Sequence, residues 1–183
     1  MKRVVIVHGW KGSPQENWLP YLKEELENLS VEIHVPQMPN PDFPVCSEWV
    51  NILKSLIINP DLGTFLVGHS LGIIAILRYL ESLPEGNAVG GVVSVAGFSE
   101  TLGIKEHESF FSIPINYDKV KRSCRKFVAF QSDNDYYVSM KNGEILRDRL
   151  GSELIIIKNA GHFCTRDGYE KMPLLLEKLK KML

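Results

Sequence analysis

Short apolar runs alternate with longer segments of helical period along almost the whole chain, and this alternation constrains the fold most. The apolar runs predict strands at Val4–Val7, Val31–Val35, Thr64–Val67, Gly91–Ala96, Phe127–Phe130 and Leu154–Ile157. The segments of helical period predict helices at Glu16–Leu29, Cys46–Ile58, Leu71–Leu83, Met140–Leu150 and Tyr169–Leu183. Strands that alternate with helices through short connections form a parallel sheet covered on both faces. We therefore predict a three-layer α/β fold with a mostly parallel sheet.

One segment, residues 97–125, breaks this alternation because it joins two predicted strands without a clear helical period. A connection of this length in a compact chain usually has a function or a short structure of its own. No linker, repeat or low-complexity tract divides the 183 residues, which is a length suited to one core. We expect a single domain over residues 1–183, with 97–125 as a short insertion near the active site.

Composition and charge disfavour several classes of function. The net charge is −1, from 21 basic and 22 acidic residues that are mixed along the sequence, so nucleic acid is a poor candidate partner. No segment reaches the ~20 apolar residues that would span a bilayer. The three cysteines, Cys46, Cys124 and Cys164, are odd in number and lack metal-ligand spacing, which favours a reducing, cytoplasmic location without disulfides. We expect neither a metal nor a cofactor.

The pentapeptide Gly68-His69-Ser70-Leu71-Gly72 has the G-x-S-x-G pattern. A predicted strand ends directly before it and a predicted helix begins directly after it. Such a tight turn requires a strained backbone at the serine and no side-chain bulk beside it, which the two glycines allow. We predict that Ser70 is a nucleophile exposed at the carboxyl edge of the sheet.

A serine nucleophile needs a base and an acid that orients the base. His162 lies in Asn159-Ala160-Gly161-His162-Phe163, after the last predicted strand and after the serine in chain order, as this architecture requires. Asp133 and Asp135 both follow the penultimate predicted strand. We predict Asp135 as the acid because it stands three residues before Val138 in a D-x-x-V pattern, whereas Asp133 is expected to organise the turn.

Two backbone N–H groups are predicted to stabilise a developing oxyanion. The Leu71 N–H lies at the start of a predicted helix, and the Trp10 N–H follows Gly9 just after the first strand. The alternative is that Trp10 is only a core aromatic residue and Gly9 only a turn residue. Both interpretations can hold together.

Four residues of the 97–125 insertion are candidates for the wall of a substrate pocket. Phe110, Phe111, Ile113 and Pro114 could fold over the serine and bind an acyl group. Equally, they could belong to the ordinary core and pack the insertion against the sheet. An insertion this short, folded over the serine, leaves room only for a small substrate.

Five stretches of the sequence are shared with a known family. They are HGWKGSPQENW at 8–18, VGHSLG at 67–72, FFSIPINYDKVK at 110–121, QSDNDYYV at 131–138 and NAGHF at 159–163. With these motifs the chain resembles, nearly end to end, the small serine hydrolases related to retinoblastoma-binding protein 9 and their bacterial counterparts. The resemblance implies the α/β-hydrolase fold with a minimal lid, and it places the triad roles on Ser70, Asp135 and His162.

The resemblance also implies esterase-like activity on small acyl substrates without a cofactor. Vertebrate members are linked to retinoblastoma protein through an L-x-C-x-E motif. Here Pro44-Val45-Cys46-Ser47-Glu48 has proline in place of leucine, so no protein partner is implied. Two alternatives stay open: amide or thioester hydrolysis by the same triad, and a protein-interaction module that keeps the fold with little or no catalysis.

Overall fold

The computed structural model describes residues 2–183, which form a six-stranded sheet. The strands are β1 (Arg3–Val7), β2 (Glu32–His34), β3 (Thr64–His69), β4 (Gly91–Val95), β5 (Phe127–Ser132) and β6 (Glu153–Ile157). They follow the order β2-β1-β3-β4-β5-β6, and all the pairings between them are parallel. The predicted α/β fold class is confirmed, and all six predicted strands are present.

Helices cover both faces of the sheet. They are α1 (Leu19–Glu27), α2 (Cys46–Leu56), α3 (Leu71–Glu81), α4 (Tyr117–Arg122), α5 (Met140–Leu150) and α6 (Pro173–Met182), with short 3₁₀ helices at Lys105–Phe110 and Thr165–Asp167. Among residues 2–183, no helix combines the length and apolar character needed to cross a membrane.

The continuous apolar sequence of β1 is explained by its burial on both faces. Val4 and Ile6 pack on the face covered by α1 and α6, whereas Val5 and Val7 pack on the face covered by α2, α3 and α5. Because side chains alternate along a strand, a strand at the centre of the sheet must be apolar at every position. The parallel pairing of β1 with β3 places their carboxyl ends side by side.

Two predicted helices begin later in the structure, and the insertion contains short helices that the sequence does not predict. The helix predicted from Glu16 begins at Leu19, after a series of turns, and the one predicted from Tyr169 begins at Pro173. Pro173 suits a first helical turn because its missing N–H has no partner there. Within 97–125, α4 and the 3₁₀ helix at Lys105–Phe110 are too short to show a period in the sequence.

A buried guanidinium anchors the insertion to α3. The Nε and Nη2 atoms of Arg78 donate to the Phe110 carbonyl oxygen at 2.9 and 2.7 Å, and Nη2 also donates to the Ile113 carbonyl oxygen. Arg78 Nη1 pairs with the Glu81 carboxylate at 2.8 Å. The insertion is therefore fixed to the helix that follows the serine turn.

The first turn of α3 presses directly on the end of β1. A Cβ atom at Gly72 would lie 2.5 Å from the Val7 carbonyl oxygen and 2.7 Å from the His8 carbonyl oxygen. Both are backbone atoms of a central strand and its extension, which cannot move aside without disturbing the sheet.

We expect Gly72→Ala to lower the free energy of unfolding by about 3 kcal/mol, because the added methyl group overpacks two fixed carbonyl groups. Gly86→Ala is the control: Gly86 has φ +88° but nothing within 4 Å of an added Cβ, so only the backbone strain of about 1–2 kcal/mol applies. Urea denaturation measures both. Equal losses in the two variants would contradict the close packing of α3 on β1.

Candidate active site

Ser70 occupies a strained turn between β3 and α3. Its backbone has φ 52° and ψ −119°, a conformation that costs a non-glycine residue about 1–3 kcal/mol. The Ser70 N–H donates to the Val95 carbonyl oxygen at the end of β4, at 2.9 Å. Beside it, a Cβ atom at Gly68 would lie 2.7 Å from Ile73 Cδ1. The turn thus requires a small residue at 68 and holds the serine at the carboxyl edge of the sheet.

His162 contacts a carboxylate at its Nδ1 atom. Nδ1 lies 2.8 Å from Asp135 Oδ2, and both side chains are buried. The other oxygen, Asp135 Oδ1, accepts the N–H groups of Tyr137 at 2.8 Å and Val138 at 2.9 Å, which fixes the plane of the carboxylate. Because a carboxylate oxygen accepts hydrogen bonds, Nδ1 is the donor in this contact, and Nε2 is the ring nitrogen that Asp135 does not occupy.

The loop that carries His162 is held by side chains rather than by a strand partner. Four consecutive N–H groups donate to four side-chain oxygens: Asn159 to Asp133 (2.8 Å), Ala160 to Ser132 (3.1 Å), Gly161 to Asn134 (2.9 Å) and His162 to Asp167 (2.9 Å). Asp133, the second carboxylate considered from the sequence, therefore bonds a backbone N–H in this loop. Asp135, not Asp133, contacts the histidine ring.

Asp167 is a part of this site that sequence reasoning missed. Besides the His162 N–H, its Oδ2 atom accepts the Cys164 N–H at 3.1 Å and the Tyr136 hydroxyl at 3.0 Å. Burial alone would raise the pKa of this carboxyl, but the hydrogen bonds outweigh it and lower the pKa. Gly161, with φ +54°, leaves room for the carboxylate, since a Cβ there would lie 2.4 Å from Asp167 Cγ.

His69 also holds the loop that carries His162, through a hydrogen bond to the backbone of that loop. Its Nε2 atom donates to the His162 carbonyl oxygen at 2.8 Å, and the two rings lie 4.9 Å apart. Burial, reinforced by the neighbouring His162, lowers the pKa of His69 to about 3, so the ring stays neutral near neutral pH. The position of His69 inside the G-x-S-x-G motif gives no sequence signal for this contact.

The two predicted oxyanion-hole amides flank the serine turn. The loop after β1 lies against Ser70, because a Cβ atom at Gly9 would be 3.2 Å from Ser70 Cβ. Within residues 2–183, no protein acceptor takes a hydrogen bond from the Trp10 or the Leu71 N–H. His8 Nδ1 donates to the Gly9 carbonyl oxygen at 2.8 Å, which fixes the peptide plane that also contains the Trp10 N–H.

A cavity of about 480 Å³ opens at this edge of the sheet. Its walls include Ser70, His162, Trp10, Tyr137, Leu102, Ile104 and His107. The structure thus brings the predicted nucleophile and base into one cavity. In the part of the chain that the structure describes, no group of three or more His, Cys, Asp or Glu residues is arranged to hold a metal ion.

The four residues considered for the pocket wall do not line the cavity, and the alternative that they pack in the core fits the two phenylalanines. Phe110 is fully buried in the core, with its ring 5.8 Å from that of Trp49, and Phe111 packs half-buried against the same core. Ile113 and Pro114 are exposed to solvent. The insertion does line the cavity, but through an earlier part that contains Leu102, Ile104 and His107.

Comparisons with known proteins agree with this geometry. The model of a family described as serine hydrolase matches residues 4–181. The Bacillus subtilis protein YdeN is 30% identical over 97% of this chain and 94% of its own length, and its crystal structure superposes with a TM-score of 0.94. The serine hydrolase RBBP9 of Rattus norvegicus is 27% identical over 98% of this chain and 89% of its own length.

More distant similarity extends to other α/β-hydrolase structures. Est1E from Butyrivibrio proteoclasticus superposes with a TM-score of 0.75 at 16% identity, over 98% of this chain and 86% of that chain. At this level of identity the similarity shows the fold alone. The expected α/β-hydrolase fold and the expected family are both confirmed.

We expect Asp167 to make the stability of the protein pH-dependent in acid. Its lowered pKa means that its contribution is present above about pH 4, the ordinary range for aspartate, and is lost as the pH falls through the lower pKa of the folded state. Asp167→Asn should therefore lose less free energy of unfolding than the wild type between about pH 5 and about pH 3. Urea denaturation at both pH values measures this.

Tyr136→Phe is the matched control for that experiment, since it removes one of the hydrogen bonds that Asp167 accepts and keeps the carboxylate. Its acid dependence should lie between those of the wild type and Asp167→Asn. An identical pH dependence of the free energy of unfolding in the wild type and both variants would contradict the stabilising role of the Asp167 carboxylate.

Proposed function

The chain belongs to the serine hydrolase family, and we propose that it is a carboxylesterase-like enzyme that cleaves small acyl esters through an acyl-enzyme on Ser70. The observation that carries this proposal is the 2.8 Å contact of Asp135 with His162, since His162 lines the same cavity as the strained Ser70. A buried carboxylate on Nδ1 leaves Nε2 as the proton acceptor, which is the state that a general base requires.

In the first half of the proposed reaction, the Ser70 hydroxyl oxygen attacks the ester carbonyl carbon. His162 Nε2 takes the hydroxyl proton, and the carbonyl π electrons move to the oxygen to give a tetrahedral oxyanion. When the oxyanion collapses, the bond to the alcohol oxygen breaks and His162 returns the proton to that oxygen. The alcohol leaves, and the acyl group remains on Ser70 as an ester.

In the second half, water replaces the alcohol and the steps run in the same order. His162 removes a proton from water as the water oxygen attacks the acyl carbon, and it then protonates the Ser70 oxygen as the acid leaves. Asp135 holds His162 in the reactive tautomer and stabilises its protonated form without taking the proton itself. All groups needed for both halves belong to the protein, the ester or water.

The Trp10 and Leu71 N–H groups are proposed to bind the oxyanion. Both lie beside Ser70, and neither is used by a protein acceptor within the described chain. The Leu71 N–H also lies at the N-terminus of α3, where the helix dipole favours negative charge. Donors that are oriented before the reaction stabilise the transition state without reorganisation.

We expect Ser70→Ala to reduce kcat on p-nitrophenyl acetate by about 10⁴- to 10⁶-fold, because the three side chains act as a unit. The same variant should lose labelling by a fluorophosphonate probe, which reacts only with an activated serine. Ser47→Ala is the matched control: Ser47 is exposed on α2, and its replacement should leave both readouts unchanged.

Full activity in Ser70→Ala would contradict the proposal. Absence of labelling in the wild type would favour the alternative of an interaction module on the same fold. If the wild type cleaved only amides or thioesters of the same acyl group, the triad assignment would stand and the proposed substrate class would be wrong.

We expect Asp135→Ala to reduce kcat by about 10⁴-fold, since the histidine loses the partner that fixes its tautomer. Asp133→Ala removes only the hydrogen bond to the Asn159 N–H and should cost less than about 10²-fold. Steady-state kinetics on p-nitrophenyl acetate compares the two variants, with circular dichroism to establish that both are folded. A larger loss in Asp133→Ala would reverse the assignment.

A further inference from the structure

His107 is a buried histidine in the cavity that the proposed reaction does not use. It lies in the 3₁₀ helix Lys105–Phe110, is 3% exposed and forms part of the cavity wall with Ser70. Its ring stacks on Phe98 with centroids 6.0 Å apart, and it meets the Trp10 ring edge-on at 5.0 Å. These two aromatic contacts fix the orientation of the imidazole.

Both ring nitrogens of His107 are buried without a hydrogen-bond partner in the described part of the chain. Buried polar groups in proteins are nearly always paired, so an imidazole with two free nitrogens requires an explanation. Burial lowers the pKa of His107 to about 4, and the ring is therefore neutral near neutral pH. A neutral imidazole offers one donor and one acceptor.

We infer that His107 determines substrate specificity by binding a hydroxyl group on the acyl chain, so that the preferred substrates are esters of short hydroxy acids. A hydroxyl both donates and accepts hydrogen bonds, so it can pair with the ring nitrogen that it reaches whichever tautomer the imidazole adopts. This inference rests on the proposed ester hydrolysis at Ser70.

The rest of this wall suits a hydrocarbon chain with a single polar group. Leu102, Ile104 and Trp10 line the cavity beside His107 and offer mainly apolar surface to the substrate. The volume of about 480 Å³ is near the lower end of the range for small-molecule sites, which fits a short acyl group. A hydrocarbon chain without a hydroxyl would fill the same space but leave unpaired the ring nitrogen that the hydroxyl would bind.

Binding must also uncover the imidazole, because protein atoms shield its nitrogens in the unliganded molecule. The neighbouring turn is only partly buried. Leu102 and Ile104 are only half-buried, and Gly103 between them has φ +74° with nothing within 4 Å of an added Cβ. We therefore place the entry of the hydroxyl at this partly buried turn.

The test compares p-nitrophenyl 3-hydroxybutyrate with p-nitrophenyl butyrate, which share a leaving group and differ by one hydroxyl. We expect the wild type to favour the hydroxy ester by about tenfold or more in kcat/KM, because an unpaired buried group penalises the plain ester. His107→Phe keeps an aromatic ring without polar atoms and should bring the ratio close to one. The ratio is insensitive to the fraction of folded protein.

Two further variants separate hydrogen bonding from shape. His107→Gln restores a donor and an acceptor and should recover part of the preference. Leu102→Val alters the apolar wall and should change both esters by a similar factor. A wild-type ratio near one, or an unchanged ratio in His107→Phe, would overturn the inference while leaving the esterase proposal intact.

A binding measurement makes the inference independent of turnover. In Ser70→Ala protein, ethyl 3-hydroxybutyrate should bind with a Kd about tenfold below that of ethyl butyrate and should shift the ¹⁵N resonances of the His107 ring. Failure of the esterase proposal would appear as no turnover of either ester by the wild type. Equal affinities and an unmoved His107 signal would reject the role of His107 whatever the wild type hydrolyses.

Discussion

The left-handed backbone of Ser70 is the constraint on which the site depends. A serine does not adopt φ 52° without neighbours that enforce it, and here three neighbouring strands do so. The Ser70 N–H is held by the end of β4, and the first turn of α3 is held against the carbonyl groups at the end of β1. Since β1, β3 and β4 are adjacent in the sheet, the position of Ser70 follows from the most deeply buried part of the fold. The strained backbone of Ser70 is therefore held in place by the buried core and not by a loop.

The histidine depends on a different kind of support. Its loop follows β6, an edge strand, so no further strand can hold it. Four side-chain oxygens take the place of a sheet partner, and three of them come from residues 132–134, directly before Asp135. The segment that supplies the orienting carboxylate therefore also supplies the loop's hydrogen bonds. The positions of the two side chains are coupled, and the 2.8 Å contact between them follows from this shared support.

The catalytic candidates could be predicted from the sequence because each stands in a short motif at the end of an apolar strand. The contact of Asp135 with His162 agrees with the choice made from the D-x-x-V pattern. The pocket wall could not be predicted in this way. Apolar residues such as Phe110 and Leu102 have the same sequence signature whether they face the core or a cavity, and a 3₁₀ helix of six residues has no period that tells one face from the other. Asp167 was missed because its role depends on a loop conformation, which its own neighbours in sequence do not specify.

Ser70 and the insertion that lines the cavity are attached to the same helix. Leu71 at the start of α3 follows the serine directly, and Arg78, seven residues later and about 10 Å along the axis, anchors the insertion. Arg78 bonds carbonyl oxygens of the insertion, so this anchor does not depend on which side chains the cavity wall carries. Leu102, Ile104 and His107 can therefore set the chemistry of the cavity while the triad candidates keep their geometry. The helix α3 thus fixes the distance between Ser70 and the part of the insertion that lines the cavity, whichever side chains that part carries.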